Sequence, residues 1–405
     1  MNRTFISALI ACIALFGYGQ EKKFKFKFYG QIRADLFYNS RTNYESADGI
    51  FYSYPKDRNF DADGKDLNGT PQSNFYAIYT RGGVDIDGPM LGKVKPTAKI
   101  EIDFRGSGST IYLPRLRHAY INLDWNNNEL LFGQTWHPLF GDVSPSVINL
   151  NTGAPFQPFS RAPMIRYRRI LSRFVLTGAA VWQSQFLSAG PQGKSNLYIK
   201  NGCVPEFFVG ANYEHGGLIC GIGGEVLTLK PRTVSEVDGK QYKVNERITT
   251  VSGEAHAKYQ TDKWRLSGKV ILANNLTQVS MLGGYAVTAK DPRTGECKYS
   301  PFHHVSSWLN FVYGKKWQPG VFVGYTKNLG TGKPIVGETY GEGVDVDQLF
   351  GGHVQLSYNY KALKVGIEVG ASTAWYGSLD KQNGKIVNTH AVTNFRVHTS
   401  VIYSF

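Results

Sequence analysis

Residues 24–38 read FKFKFYGQIRADLFY, with Phe24, Phe26, Phe28, Ile32, Ala34 and Leu36 on one parity and Lys25, Lys27, Gln31, Arg33 and Asp35 on the other. Successive side chains of an extended strand point to opposite faces, so this is a strand with one apolar and one charged side. Such a strand suits either a solvated soluble sheet or a wall that separates oil from water. The rest of the chain decides between them.

The same alternation recurs in 97–105 (TAKIEIDFR), 362–376 (ALKVGIEVGASTAWY) and 391–405 (AVTNFRVHTSVIYSF). Soluble strands average about five or six residues, and these runs are longer. Strands are expected at 24–38, 74–87, 94–105, 112–125, 129–136, 164–170, 173–186, 204–215, 217–229, 246–261, 263–276, 304–314, 318–328, 349–360, 362–376 and 391–405.

The connections between them alternate in length. Short ones are GPMLGK, Asn126-Asn127-Asn128, Leu171-Ser172, Gly216, Asp262, the residues around Lys316-Trp317, and Lys361. Between these fall 137–163, 187–203, 230–245, 277–303, 329–348 and 377–390, with one break in the rhythm at 106–111. A soluble sandwich has no reason to gather its long loops at one end. A transmembrane antiparallel β-barrel of about 16 strands does, with short periplasmic turns and long extracellular loops. Tyr29, Tyr38, Tyr120, Trp125, Trp182, Trp264, Trp308, Trp317, Tyr358, Trp375 and Tyr403 lie near expected strand ends more often than at strand centres, as interfacial girdles would, although aromatics are also common in strands generally.

Residues 1–19 carry an Arg, an apolar run from Phe5 to Phe16 and small residues at Gly17 and Gly19. That is the pattern of a secretory signal peptide, leaving 20–405 as a single barrel domain. Leu9-Ile10-Ala11-Cys12 also has the form of a lipoprotein box. No other window approaches the ~20 apolar residues of a membrane helix. Export without such a helix leaves a soluble fold or a closed barrel.

The chain has 45 Lys and Arg against 31 Asp and Glu, a formal charge of +14. No zinc-finger spacing, helix-turn-helix pattern or long basic block accompanies it, so nucleic acid is not the expected partner. Cys203, Cys220 and Cys297 remain after the signal, an odd number that allows at most one bridge.

The chain ends TSVIYSF, with Val401, Tyr403 and Phe405 on one parity. This resembles the C-terminal signature of bacterial outer-membrane barrels, which the barrel-assembly machinery reads. The whole mature chain resembles the sixteen-stranded porins. Within FGQTWHPLFGD, residues 132–142, Gly133-Gln134-Thr135-Trp136 is similar to a run in the DcaP-like trimeric group of proteobacteria and Bacteroidetes.

The resemblance implies the outer membrane of a Gram-negative bacterium, a homotrimer, contact with lipid and lipopolysaccharide, and passive diffusion of small polar solutes. It implies no catalysis and no cofactor. It also implies that the third extracellular loop, 137–163, folds inward as a constriction, an expectation that Pro138, Pro145, Pro155, Pro158 and Pro163 support by stiffening it.

Parity then assigns Lys25, Lys27, Arg33, Lys99, Glu101, Asp103 and Arg105 to the lumen. Arg166 and Arg168 follow the loop, and with Arg161 and Arg169 they cluster within nine residues, opposite acids such as Asp142. Rings of Arg and Lys favour anions, and an arginine row opposite acids sets up a transverse field. The plainer alternative is that these bases satisfy a wet lumen or grip lipopolysaccharide phosphates. Arg117 shares parity with Ala119 and Ile121 and is expected on the outer face, at a protomer interface or at headgroup level.

Asp61, Asp63, Asp66 and Asn68, around Gly64, have the spacing of oxygen ligands to Ca2+. Lys65 stands where an acid is expected and no glutamate closes the loop, so a solvated acidic turn is the other reading. His137, Asp142 and Ser144 form a nominal hydrolytic trio without a G-x-S-x-G context. The alternatives to a porin are therefore a closed structural or adhesive barrel and an outer-membrane hydrolase. The mature chain is too short for the roughly twenty-two strands and plug of a TonB-dependent transporter.

Overall fold

The structure, a computed structural model, describes residues 24–46, 48–106 and 110–405. The expected signal peptide and the Cys12 lipoprotein box lie outside the described residues.

The chain forms one closed antiparallel ring of strands. In order they are Lys25–Asn39, the two-part strand Gln72–Tyr76 and Arg81–Asp87, Lys95–Asp103, Arg115–Trp125, Asn128–Trp136, Arg161–Leu171, Phe174–Val181 and Glu206–His215. They continue with Leu218–Leu229, Ile248–Gln260, Trp264–Asn274, His303–Tyr313, Trp317–Gly330, Val346–Tyr360, Leu363–Leu379 and Ile386–Ser404. Both parts of the second strand pair with the first, so the ring counts sixteen. Each expected strand is present, with its ends shifted by a few residues.

The ring closes between the first strand and the last, from Gln31 opposite Ser404 to Asn39 opposite Arg396. Phe405 and Gly30 exchange both backbone bonds at 3.0 Å. A Cβ on Gly30 would stand 2.7 Å from the Phe405 ring, so a glycine is what seats the terminal aromatic.

At one end the turns are tight: 88–94, 126–127, 172–173, 216–217, 261–263, 314–316 and 361–362. Asn126 and Asn127 both take positive φ (42° and 64°), as do Gly216 and Gly217 (56° and 85°). That is the backbone a two-residue hairpin needs, and Asn and Gly are the residues that tolerate it. The other end carries 40–71, 104–114, 137–160, 182–205, 230–247, 275–302, 331–345 and 380–385. The link expected to break the rhythm belongs to this end, because its flanking strands stop at Asp103 and resume at Arg115. Conversely, the expected loop 377–390 is mostly strand.

Burial is inverted relative to a soluble protein. Phe28, Val209 and Ile222 are 78%, 66% and 64% exposed, whereas Asp35, Asn310 and His398 are fully buried. Leaving a large apolar side chain in water forgoes roughly 1.5–3 kcal/mol. A complete outer belt of such residues therefore belongs against lipid. Val401, Tyr403 and Phe405 are part of that belt. No helix among the described residues is long and apolar enough to cross a membrane.

Two departures from simple alternation have local causes. The second strand breaks at 77–80, where Thr80 N–H bonds Ala77 O at 3.0 Å, and Ile78 and Tyr79 turn in to pack with Phe37 and Ile50. In the fourth strand the register slips, so that Glu101 faces His118 while Ile102 faces Leu116. Arg117 is the extra residue of this bulge. It is buried inside the barrel against Glu101 and Asp103, not on the outer face as its parity suggests.

Candidate functional site

The connection 137–160 lies inside the ring, and only Asp142 within it is exposed. Its apolar residues explain why the chain turns inward. Trp136 stacks on Phe140 with ring centroids 4.0 Å apart, Phe159 meets both edge-on, and Leu139 and Val143 are fully buried. Phe156 enters a notch half the ring away, where the absent side chains of Gly324 and Gly351 make room. A Cβ on either would lie 2.4 or 2.6 Å from its ring.

A buried loop must also satisfy its backbone, and the wall does this with side chains. Lys269 Nζ donates to Leu139 O (2.7 Å) and Phe140 O (3.1 Å), and Arg265 donates to Ser144 O at 2.5 Å. At the far tip, Ser146 N donates to Asn310 Oδ1 (2.8 Å), and Gln355 Nε2 donates to Ser146 O (2.9 Å). Ile148 N donates to Gln355 Oε1 (2.9 Å) and Glu368 Oε2 (3.2 Å), Asn149 N to Glu368 Oε2 (3.2 Å), and Arg33 Nη2 to Ile148 O (2.7 Å). Ser306 and Trp308 bond Phe156 O and Gln157 Oε1. The loop thus runs from the fifth strand to the opposite wall and narrows the lumen.

The residues singled out by sequence fall into distinct groups. Lys25 and Lys27 sit exposed at the tight-turn rim, in register with Asp87 and Asp85. Arg33 is buried and pairs with Asp35 at 2.8 Å, so its charge serves the loop tip. Lys99 pairs with Asp85 at 3.2 Å and lies over the Tyr29 ring. Glu101 is taken by Arg117, and Asp103 by Arg115 (2.6 Å) and Arg117 (2.8 Å), while Arg105 donates to Ser46. This inner row is therefore an internally compensated network. Sequence reading missed Arg115 and placed Arg117 on the outer face.

Arg166 and Arg168 project inward beside Asp142. Arg168 Nη2 is 3.3 Å from Asp142 and its Nη1 3.7 Å from Glu129. Asp142 also accepts from Asn212 Nδ2 at 3.0 Å. Arg166, Arg168, Asp142 and Asn212, with Trp136 and His137, border a cavity of about 150 Å3. Arg161 is out of step with the other two. It is buried flat against Trp136, 3.6 Å from the ring centroid, and bonds Gln185.

The acidic turn 61–69 is held by its own groups. Asp61 Oδ1 accepts the amides of Asp63 (2.9 Å) and Lys65 (2.8 Å), and Asp66 accepts those of Asn59 and Asn68 and pairs with Arg41 at 3.1 Å. Asp61, Asp63 and Asp66 do not gather as three ligands. Among the described residues the one trio of His, Cys, Asp or Glu with ligand atoms all within 4.8 Å is His137, Glu206 and Glu225. The nominal hydrolytic trio is likewise not assembled: His137 bonds Glu206, Asp142 pairs with Arg168, and Ser144 offers its carbonyl to Arg265. Cys203, Cys220 and Cys297 are all free.

A closed sixteen-stranded barrel crossed by an inward loop is the architecture of the outer-membrane porins. The chain superposes on the outer membrane channel DcaP of Acinetobacter baumannii with a TM-score of 0.68, at 18% identity over 96% of this chain and 99% of that one. It also matches OmpT of Vibrio cholerae in its trimer form (TM-score 0.57, 12% identity, 95% and 100% covered). A third match is the anion-selective porin from Comamonas acidovorans (0.55, 12%, 95% and 100%). The resemblance to DcaP-like porins is borne out in sequence as well, since the family of the DcaP outer membrane protein matches residues 20–177. No curated protein matches the chain.

Proposed function

We propose that this chain is a porin of a Gram-negative outer membrane, passing small polar solutes passively through a lumen narrowed by residues 137–160. The observation that carries this reading is the inverted wall, apolar outside and polar inside, closed on itself and crossed by a loop that the far wall grips. An enzyme would need convergent catalytic groups, and the candidate trio is dispersed among other partners.

We further infer a preference for anions. The chain carries a formal charge of +14, and Arg166 and Arg168 line the narrowed region beside Asp142, which pairs with Arg168 at 3.3 Å. One structural neighbour is described as anion-selective. A homotrimer is the proposed assembly, in keeping with the trimer form of another neighbour.

Planar-bilayer recording on purified protein tests both parts. Stepwise conductance supports the porin, and its absence leaves the closed structural barrel in its place. The reversal potential in a salt gradient reports the sign of the preference.

A further inference from the structure

His137, Glu206 and Glu225 meet where the constriction loop leaves the wall, and each of their side chains is 1% exposed. Glu206 Oε1 accepts from Gln183 Nε2 at 2.8 Å. Gln278 Nε2 donates to Glu206 Oε2 (3.3 Å) and Glu225 Oε1 (3.1 Å). His137 Nε2 lies 3.1 Å from Glu206 Oε2 and 3.9 Å from Glu225 Oε2. Its Nδ1 accepts the Leu139 amide at 3.2 Å, which leaves Nε2–H to donate to Glu206.

Apart from the His137 ring, the donors to the two carboxylates are the uncharged amides of Gln183 and Gln278. Among the described residues, no Lys or Arg nitrogen comes within 4.0 Å of either. Burying one ionised carboxylate without a counter-charge costs several kcal/mol, and two adjacent ones add mutual repulsion. One oxygen of the pair itself, Glu225 Oε2, is buried without a hydrogen-bond partner, and so is the amide oxygen of Gln278, whose Nε2 meets both carboxylates. Partnerless buried oxygens beside an uncompensated pair of carboxylates are the ligand set of a hard cation.

We propose that Glu206 and Glu225 bind one divalent cation of the oxygen-preferring class, such as Ca2+ or Mn2+. His137 Nε2–H orients Glu206 from outside the ligand set, as second partners of metal ligands do. A half-turn of the Gln278 amide offers its oxygen to the same ion. Gln278 belongs to the short helical turn Thr277–Val279, whose Val279 O accepts Phe159 N at 2.7 Å. The ion would thus join the first residue of the constriction loop, the turn that holds its last residues, and two wall strands.

The test uses the full-length protein folded in detergent, stripped with EDTA and titrated with Ca2+ by calorimetry and with Mn2+ by electron paramagnetic resonance. One ion per chain is expected, with affinity falling on the order of 100-fold in E225Q and E206Q, each of which removes one ligand charge. Heat-modified gel mobility verifies that each variant is folded. The wild-type protein alone supplies a second readout, since Ca2+ after EDTA should raise its melting temperature. Ion binding indifferent to both substitutions, or a melting temperature unmoved by Ca2+, would overturn the proposal and leave a shared proton as the neutralising charge. The test does not depend on conductance, so it stands or falls apart from the porin reading.

Discussion

Replacing Glu368 by Ala should unseat the tip of the constriction loop. Glu368 Oε2 accepts the amides of both Ile148 and Asn149 at 3.2 Å, and its carboxylate lies 3.3 Å from His353. Ile148 N keeps a second acceptor in Gln355 at 2.9 Å, whereas Asn149 N loses the one side-chain acceptor the wall gives it. A hydrogen bond to a charged group contributes about 1.5–3 kcal/mol. Two long ones at the lower end amount to about 3 kcal/mol. At 1.4 kcal/mol per tenfold, the unseated population should rise roughly 150-fold.

Hydrogen exchange reads this directly, as lost protection at Ile148 and Asn149 with strand amides unchanged. E368Q keeps one acceptor and should lose about half as much free energy, roughly tenfold in exchange. In bilayers the same variants should show larger open-channel noise. Unaltered protection at both amides in folded E368A would refute the idea that wall side chains hold the tip.

R166A combined with R168A should bring the reversal potential towards that of a non-selective channel, and an unmoved potential would mean that the anion bias arises elsewhere. F156A vacates the Gly324–Gly351 notch and should destabilise the folded barrel by about 3–5 kcal/mol, read by urea unfolding in micelles; an effect under about 1 kcal/mol would show that the notch does not anchor the loop. Partial burial pulls the Asp66 carboxyl up, but the Asn59 and Asn68 amides and the Arg41 guanidinium outweigh it, so its pKa lies below the ordinary carboxylate value. A lowered folded-state pKa means that its contribution is present above the unfolded value and is lost as pH falls through the folded one. Exchange protection of the Asn59 and Asn68 amides should therefore decline below the usual carboxylate range in the native chain and show no such step in D66N.

The strands were legible because a wall between lipid and water forces period 2, and FKFKFYGQIRADLFY obeys it at nearly every step, the aromatics Tyr29 and Phe37 being the exceptions on the charged parity. What hid the rest was geometry that period 2 does not encode. At Arg117 one extra residue in the fourth strand reverses the face, and nothing in RLRHAYINL marks the slip. Asp61, Asp63 and Asp66 are ambiguous for a related reason, since carboxylates that cap their own turn share the spacing of calcium ligands. The grips on the loop were half visible: Glu368 stood on the polar parity of its strand, but its partners Ile148 and Asn149 lie some 220 positions away. His137, Glu206 and Glu225 are equally scattered, and only closure of the ring brings them together.

The notch that receives Phe156 and the wall groups that bond residues 144–149 make the loop a tie-rod across the cylinder. A chord anchored at both ends adds resistance to ovalisation of the closed ring that carries it. Aperture and mechanical stiffness are then one property of this molecule. A change that lengthens or retracts residues 137–160 must be matched by changes at Gly324, Gly351, Gln355 and Glu368, so the size limit cannot be retuned by the loop alone.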